Sequence, residues 1–342
     1  MTDLRDTCQK FDVQGIKMSG LKLDNVPRSG AKPQFLELVP VLRACPGLTS
    51  LDLSCNEIIE EMDPILRALA GCTGLTRLNL SRNKIWVNAD TFGLLEHNTA
   101  LQELNLYGNG FQPSFLSKLK NSVNHLPALT DLDLGRSILG EWGADEAASV
   151  ITEMATRCTG LTRLGLQWSG LEARTVEGIC RALPMFHALR ELDLQINRMG
   201  ALGLNHLGRV LGACPSLECL DVQKNMLANV EQNETRAFTD ALPECRRLRR
   251  LDLSQNNLGR FFFNDLVQVL PRCSALEYLD VHACKVEESW VYILPPILAR
   301  SAALRELDLR TNEAMRPHIH KQLRSAWAAV EGREPHRLLL GG

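Results

Sequence analysis

The stretch LRRLDLSQNNL, residues 248–258, decides the fold of this chain because its pattern returns throughout the sequence. Ten segments share the eleven-position frame L-x-x-L-x-L-x-x-N-x-L, and they begin at residues 48, 75, 101, 129, 161, 189, 217, 248, 276 and 304. Successive segments start 26 to 32 residues apart. A degenerate eleventh copy begins at Val13. Internal repetition with this period indicates a repeat architecture.

Each repeat is predicted to contain one strand and one helix. Leucines at frame positions 4 and 6 alternate with polar residues, which predicts a strand with one buried face. Between the frames, stretches such as GALGLNHLGRVLGAC, residues 200–214, space apolar residues three and four apart, as in a helix with one buried stripe. Because one repeat cannot bury its own apolar face, neighbouring repeats must stack and share a continuous core.

This pattern resembles the leucine-rich repeat family, over about residues 13–340. The repeat length near 28 and the long helix resemble its ribonuclease-inhibitor-like class, which includes ribonuclease inhibitor, the Ran GTPase-activating protein and the sensor domains of NOD-like receptors. The resemblance implies an α/β solenoid of about 10–11 repeats. Strands about 4.8 Å apart and helices about 8–10 Å apart make the helical side longer. We therefore expect a horseshoe with a parallel sheet on its concave face and helices on its convex face.

Three regions are predicted along the chain. Residues 1–47 form an N-terminal cap with the degenerate first repeat, residues 48–313 form the leucine-rich repeats, and residues 314–342 form a capping helix and strand. Terminal repeats would otherwise expose their core to water. We expect Trp327 to cover the last core layer.

Composition and motifs exclude several classes of function. The net charge of −2 gives no reason to expect nucleic acid or an anionic membrane as a partner, and no segment has the ~18 consecutive apolar residues of a spanning helix. Glycine-rich phosphate loops, H-E-x-x-H and G-x-S-x-G are missing, so we expect neither an enzyme nor a cofactor. The N-terminus does not resemble a signal peptide, and eleven cysteines are therefore expected as reduced thiols in the cytoplasm or nucleus.

Cysteine, histidine and asparagine positions follow the frame. Six cysteines stand three residues before a frame leucine, where we expect small buried hydrophobic side chains, and no C-x-x-C cluster suggests a metal. His282 and Cys284 could form a base and a nucleophile, but they occupy frame positions 7 and 9, so their side chains should diverge. Cys284 takes the asparagine position, whose amides should bond the backbone of their own and neighbouring repeats.

The concave face supplies the candidate binding residues. Position 5 carries an uninterrupted acidic row in the last five repeats, Asp193, Asp221, Asp252, Asp280 and Asp308. Carboxylates on adjacent strands would focus a negative potential and suit a partner with a basic patch. The alternative is ordinary repeat consensus, with the charges offset by neighbouring arginines.

Aromatic and basic residues near that row complete the set of candidates. Trp168 is the first choice, followed by Tyr107, Arg250, Tyr278 and His282. Exposed aromatic residues and arginines are enriched at interface hot spots. The alternative for Trp168 is packing against neighbouring turn residues.

One aromatic run lies outside that face. The run RFFFND, residues 260–265, places three rings at a helix start. Two of them are expected in the core. Phe262, which aligns with Gly203, is expected to be exposed.

The most consistent function is a non-enzymatic solenoid, a scaffold, inhibitor or recognition module, that binds a protein on its concave face. On its own it is expected to be a monomer. Two alternatives stay open at this point: activation of a small GTPase, and a permanent place in a larger assembly.

Overall fold

A computed structural model describes residues 15–17, 36, 38–56, 58, 62–83, 85, 95–111, 119–137, 139, 143–227, 232–312 and 317–340. The chain divides into two compact units. The first comprises Met1–Leu139 and Ser149–Gly165, and the second comprises Gly140–Ala148 and Leu166–Gly342. Among the described helices, none is long and apolar enough to cross a bilayer.

The described residues of the first unit form six parallel strands, and each pairs with the next: β1 Gly15–Lys17, β2 Ser50–Asp52, β3 Arg77–Asn79, β4 Glu103–Asn105, β5 Asp131–Asp133 and β6 Arg163–Gly165. Its described helices include α1 Leu38–Arg43 and α2 Met62–Leu69. Helix α3, Ala144–Arg157, crosses the boundary between the units at Ser149.

Six further strands build the second unit: β7 Glu191–Asp193, β8 Cys219–Asp221, β9 Arg250–Asp252, β10 Tyr278–Asp280, β11 Glu306–Asp308 and β12 Leu338–Leu339, again parallel and paired in order. They alternate with α4 Ala173–Ala182, α5 Gly200–Leu211, α6 Gln232–Ala241, α7 Gly259–Val269, α8 Glu288–Arg300 and α9 Pro317–Ala328. The predicted α/β fold of stacked leucine-rich repeats is confirmed.

The frame leucines form the core. Leu251, Leu279 and Leu307 are register partners on consecutive strands, and all three are fully buried. Burying one leucine side chain contributes about 1.5–3 kcal/mol. A register slip would send every one of these side chains to the other face of the sheet, so the repeated leucines fix the pairing.

The asparagine column is a ladder between repeats, as predicted. Asn256 donates from Nδ2 to the carbonyls of Val222 and Leu253, and its Oδ1 accepts the N–H of Asn225. Asn83 and Asn109 repeat this pattern in the first unit. One side chain therefore satisfies buried backbone groups of two neighbouring repeats.

The residue before each asparagine position adopts a left-handed conformation, which the sequence does not predict. The ten residues there are Cys55, Arg82, Gly108, Arg136, Trp168, Ile196, Lys224, Gln255, Ala283 and Thr311, with φ from +51° to +71°. Eight of these residues donate their N–H to a carbonyl of the next repeat, as Gln255 does to the carbonyl of His282 at 2.9 Å. This bonding fixes a conformation that non-glycine residues rarely adopt.

The C-terminal end of the second unit covers the last core layer. Trp327 is 1% exposed, and the Arg333 guanidinium lies 4.3 Å from its ring centre. Arg333 donates to the carbonyls of Leu298, Ser301 and Leu304, and burial lowers its pKa to about 10. The cap boundaries stay a prediction, and most of residues 1–47 lies outside the described residues.

One expectation about the core is wrong. Phe262 is fully buried, stacked against Phe238 at 6.3 Å and edge-on to Phe263 at 6.1 Å, whereas Phe261 is 37% exposed. Alignment with Gly203 was misleading because that glycine is itself buried: a Cβ there would lie 2.6 Å from the Cβ of Met199.

The predicted packing of the cysteines is confirmed at most positions. Cys45, Cys72, Cys158, Cys245 and Cys273 are buried, and Cys214 is half-buried. Cys72 and Cys158 also donate to carbonyls of the preceding repeat. All ten cysteines in the described part of the chain are free thiols.

Candidate functional site

The candidate site lies on the strand surface of the second unit. We use this name for the side of strands β7–β11 opposite the buried frame leucines, together with the turns that follow those strands and the Trp168 turn. Nine of the ten predicted site residues lie here. Tyr107 belongs to the first unit.

The aspartate row has a structural role in the turns. Asp193, Asp221 and Asp252 each accept, through Oδ1, the backbone N–H of the residue two positions later, at 2.9–3.0 Å. Asp280 and Asp308 do the same. These bonds close the chain at the end of every strand, so the acidic row is first a set of turn acceptors.

The charge of the row is uneven. Burial raises the pKa of Asp221 to about 7, the N–H of Gln223 opposes that rise, and the charges of Asp252 and Asp193 add to it. Burial also raises the pKa of Asp252, against the bonds from Ser254. Near neutral pH Asp221 is therefore partly protonated, because a desolvated carboxylate beside like charges resists ionisation.

Near the C-terminal end of the row, the carboxylate of Asp280 contacts neighbouring side chains of this chain. His282 Nδ1 lies 2.8 Å from Oδ1 of Asp280, and Tyr278 donates to Oδ2 of the same carboxylate at 3.1 Å. Arg250 places its guanidinium 4.1 Å from the centre of the Tyr278 ring. Arg250, Tyr278, Asp280 and His282 thus form one continuous contact network, which we call the Tyr278 network.

The last aspartate has its own cation. Arg310 donates from Nε to both carboxylate oxygens of Asp308 at 3.0 Å, and a third bond runs from Nη2 to Oδ2. Asp280, His282 and Asp308 bring three potential metal-ligand atoms within 4.8 Å of one another. Because Arg310 and His282 already engage these carboxylates, internal pairing accounts for the cluster.

Trp168 is the most exposed aromatic ring of the site. Its side chain is 49% exposed, and its N–H bonds the carbonyl of Gln195 at 2.9 Å in the left-handed turn. The backbone is therefore fixed while much of the ring faces water. Tyr107, in the first unit, is half-buried with the Arg82 guanidinium 5.6 Å from its ring centre.

His282 and Cys284 have different partners, as predicted. The Cys284 thiol is fully buried and bonds the carbonyl of Leu253, while His282 contacts Asp280. Burial raises the pKa of Cys284 to about 12, the opposite of what an activated nucleophile needs.

The sequence did not predict the side-chain contacts around the aspartate row. Arg310 forms an ion pair with Asp308, and the neighbouring turn residue Gln223 donates to the Ser254 hydroxyl at 2.8 Å. A signal was present: position 5 holds aspartate or asparagine in nine of ten repeats. Aspartate and asparagine both offer a side-chain oxygen that accepts a hydrogen bond, and only aspartate carries a charge. A position that takes either residue therefore needs the acceptor and not the charge, which indicates a turn acceptor.

Comparisons with known proteins agree with this architecture. A leucine-rich repeat family model matches residues 44–60. The leucine-rich repeat-containing protein LegL7 of Legionella pneumophila is 19% identical, with 94% of this chain and 99% of that chain covered and a TM-score of 0.55. An internalin, InlF of Listeria monocytogenes, is 16% identical, with 96% and 92% covered and a TM-score of 0.50.

A third structure is longer than this chain. The functional domain of InlJ from Listeria monocytogenes, which includes a cysteine ladder, is 17% identical, with 90% of this chain and 51% of that chain covered and a TM-score of 0.49. The chain thus spans about half of that domain. The repeat match and the fold together support a leucine-rich repeat protein. Proteins of this kind generally mediate protein–protein interaction.

Proposed function

We propose that this chain is a non-enzymatic interaction module that binds a partner protein on the strand surface of its second unit. The observation that carries the proposal is Trp168, which is 49% exposed on a turn whose backbone is fixed by the neighbouring repeat. A large apolar ring on a rigid support loses little conformational entropy on binding, and tryptophan is enriched among interface hot spots.

The surface around Trp168 defines the kind of partner. Asp193, Asp221 and Asp252 are the first three members of the aspartate row, and Arg250 lies exposed at the neighbouring position 3. We propose that basic groups of the partner approach these aspartates while an apolar group covers Trp168. Binding there raises the local positive charge and so favours ionised Asp221.

The test compares the wild-type surface with a variant that lacks the Trp168 ring and with a control variant that keeps it. Trp168→Ala and the control Leu202→Ala, which removes a 58% exposed side chain from helix α5, are used with wild type as baits in extract from the native source. Captured proteins are quantified by mass spectrometry, purified and titrated against each bait. We expect Trp168→Ala to weaken the partner about 30-fold or more, the effect of a ~2 kcal/mol hot spot, and the control to change it little. Equal affinity of wild type and Trp168→Ala would refute this surface.

The proposal also includes a repeat class and a cellular compartment, and it competes with GTPase activation as an alternative function. Repeats near 28 residues and helices of 10 to 13 residues in the second unit support the ribonuclease-inhibitor-like class. Free thiols at all described cysteines support a reducing compartment, cytoplasm or nucleus. GTPase activation is tested in the same programme by adding the protein to a panel of Ran-like and Rab-like GTPases, where our proposal expects unchanged hydrolysis.

A further inference from the structure

A second charged surface lies where the strands of the second unit begin. Frame position 2 alternates in sign along five consecutive repeats, in the order Arg190, Glu218, Arg249, Glu277 and Arg305. Arg190 pairs with Glu218 at 3.5 Å, and Arg249 pairs with Glu277 at 3.8 Å. These two ion pairs include four of the five position-2 residues, and Arg305 is the fifth. No carboxylate in the described part of the chain lies within ion-pair distance of its guanidinium.

Two more exposed arginines join Arg305 at this edge. Arg246 and Arg247 lie in the loop that leads into β9, and neither forms an ion pair with any described carboxylate. Arg305 also lies near Arg333, since its charge adds to burial in lowering the pKa of Arg333. Arginines left without partners carry a repulsive cost that an anion would remove.

These arginines line one cavity. It has a volume of about 510 Å³, and its charged lining consists of Arg246, Arg247, Arg249 and Arg305 with Glu218 and Glu277. Four guanidinium groups face two carboxylates, an excess of two positive charges in a half-open depression. An adjoining cavity of about 440 Å³ shares Arg249 and Arg305 and continues towards Arg337. We call the first one the arginine cavity.

We propose that the arginine cavity binds a peptide segment that carries closely spaced anionic side chains, either carboxylates or phosphorylated residues. A guanidinium offers a planar fork that bonds carboxylate and phosphate oxygens in bidentate fashion. The volume falls within the range of ~300–1,000 Å³ that is usual for ligand pockets. This site has the opposite charge to the aspartate row, and it does not depend on partner binding at Trp168.

A peptide fits the lining better than a nucleic acid. Glu218 and Glu277 stand between the arginines, so a continuous phosphodiester backbone would meet two carboxylates, whereas separate anionic side chains can avoid them. Non-specific single-strand binding also uses aromatic rings as stacking platforms. Among the described residues, those that line the arginine cavity are arginine, glutamate, serine and alanine, and none is aromatic.

Fluorescence anisotropy on the intact chain tests the proposal. The probes are labelled hexaglutamate, a peptide with three phosphoserines alternating with alanine, hexalysine, and a single-stranded DNA hexamer of thymidine. Wild type is compared with Arg247→Gln/Arg305→Gln and with a control, Arg209→Gln/Arg300→Gln, which removes the same charge from exposed arginines of helices α5 and α8. Circular dichroism establishes that all three proteins are equally folded.

We expect at least one anionic peptide to bind and hexalysine not to bind. The cavity variant should lose at least about tenfold in affinity, as for the loss of one charge-assisted hydrogen bond, while the control stays within about twofold. The stronger of the two anionic peptides identifies carboxylate or phosphate as the recognised group. The proposal is overturned if neither peptide binds, if the control weakens binding as much as the cavity variant, or if the DNA binds more tightly than both peptides. None of these results bears on Trp168, whose test uses other variants.

Discussion

Replacing Asp221 by asparagine should stabilise the protein at alkaline pH. The substitution keeps the oxygen that accepts the N–H of Gln223 at 2.9 Å, so the turn bond survives. It removes a charge that burial disfavours and that Asp252 and Asp193 repel. The change therefore separates the charge of this residue from its role as a turn acceptor.

The magnitude follows from the shift in pKa. The carboxyl of Asp221 has a pKa of about 7 in the folded chain, against an ordinary value of 3.8. At 1.36 kcal/mol for each pKa unit, this difference limits the destabilisation by the charged carboxyl to about 4 kcal/mol. Since the side chain is only half-buried, water screens part of this cost, and we expect about 1–2 kcal/mol.

The raised pKa of Asp221 also predicts how the stability difference between Asp221→Asn and wild type changes with pH. The folded state binds the proton more tightly than the unfolded state, so wild-type stability falls as pH rises from about 4 to about 7 and the loss is complete above that range. Asp221→Asn does not suffer this loss. Its advantage should be absent at about pH 4, grow through the window, and remain constant at higher pH.

Urea unfolding followed by far-ultraviolet circular dichroism at about pH 5, 6, 7 and 8 measures the effect as a shift of the transition midpoint. Asp308→Asn is the matched control, because it breaks the pair with Arg310 and should lower the midpoint at pH 8. If Asp221→Asn lowers the midpoint at about pH 8, or raises it equally at both ends of the window, the reasoning about this carboxylate is wrong.

Three other predictions concern packing, the ladder and the thiols. Gly208→Ala should destabilise the protein by about 1–3 kcal/mol in thermal melts, because its Cβ would lie 2.3 Å from the backbone N of Phe238, whereas Gly160→Ala, with no atom nearer than 3.9 Å, should change little. Asn256→Ala should cost about 2–3 kcal/mol by urea unfolding, since it leaves buried backbone groups of two repeats unpaired. Iodoacetamide should label the half-exposed Cys55 before the buried cysteines of the described chain, and mass spectrometry showing the reverse order would contradict this.

The fold was predictable because its determinants are local and repeated. Leucines at frame positions 4 and 6 and asparagine at position 9 specify strand, face and ladder in every repeat. The left-handed turn at position 8 was not predictable in the same way, because the residue there is variously tryptophan, isoleucine, lysine or arginine. Its conformation is imposed by bonds to the next repeat, and intrinsic preference is overridden.

The candidate site was predictable in position and less so in chemistry. The frame places Asp221 and Asp280 at position 5 and His282 at position 7, where we expect side chains on the side of the sheet away from the frame leucines. The sequence could not show that Tyr278 and His282 converge on one carboxylate, because those contacts depend on rotamers in the stacked repeats. Nor could it show that burial raises the pKa of Asp221 and Asp252.

The arginine cavity illustrates the same limit more strongly. Arg247 and Arg305 are two repeats apart in sequence, and only in-register stacking brings them to one depression. The net charge of −2 does not reveal this arrangement, because it says nothing of where the charged residues lie in the stacked repeats. Added salt weakens attraction at both surfaces, so ionic strength alone cannot tell them apart. Charge substitution can: loss of Arg247 and Arg305 should affect anionic ligands alone, and loss of charge at Asp193 or Asp252 should affect basic ones alone.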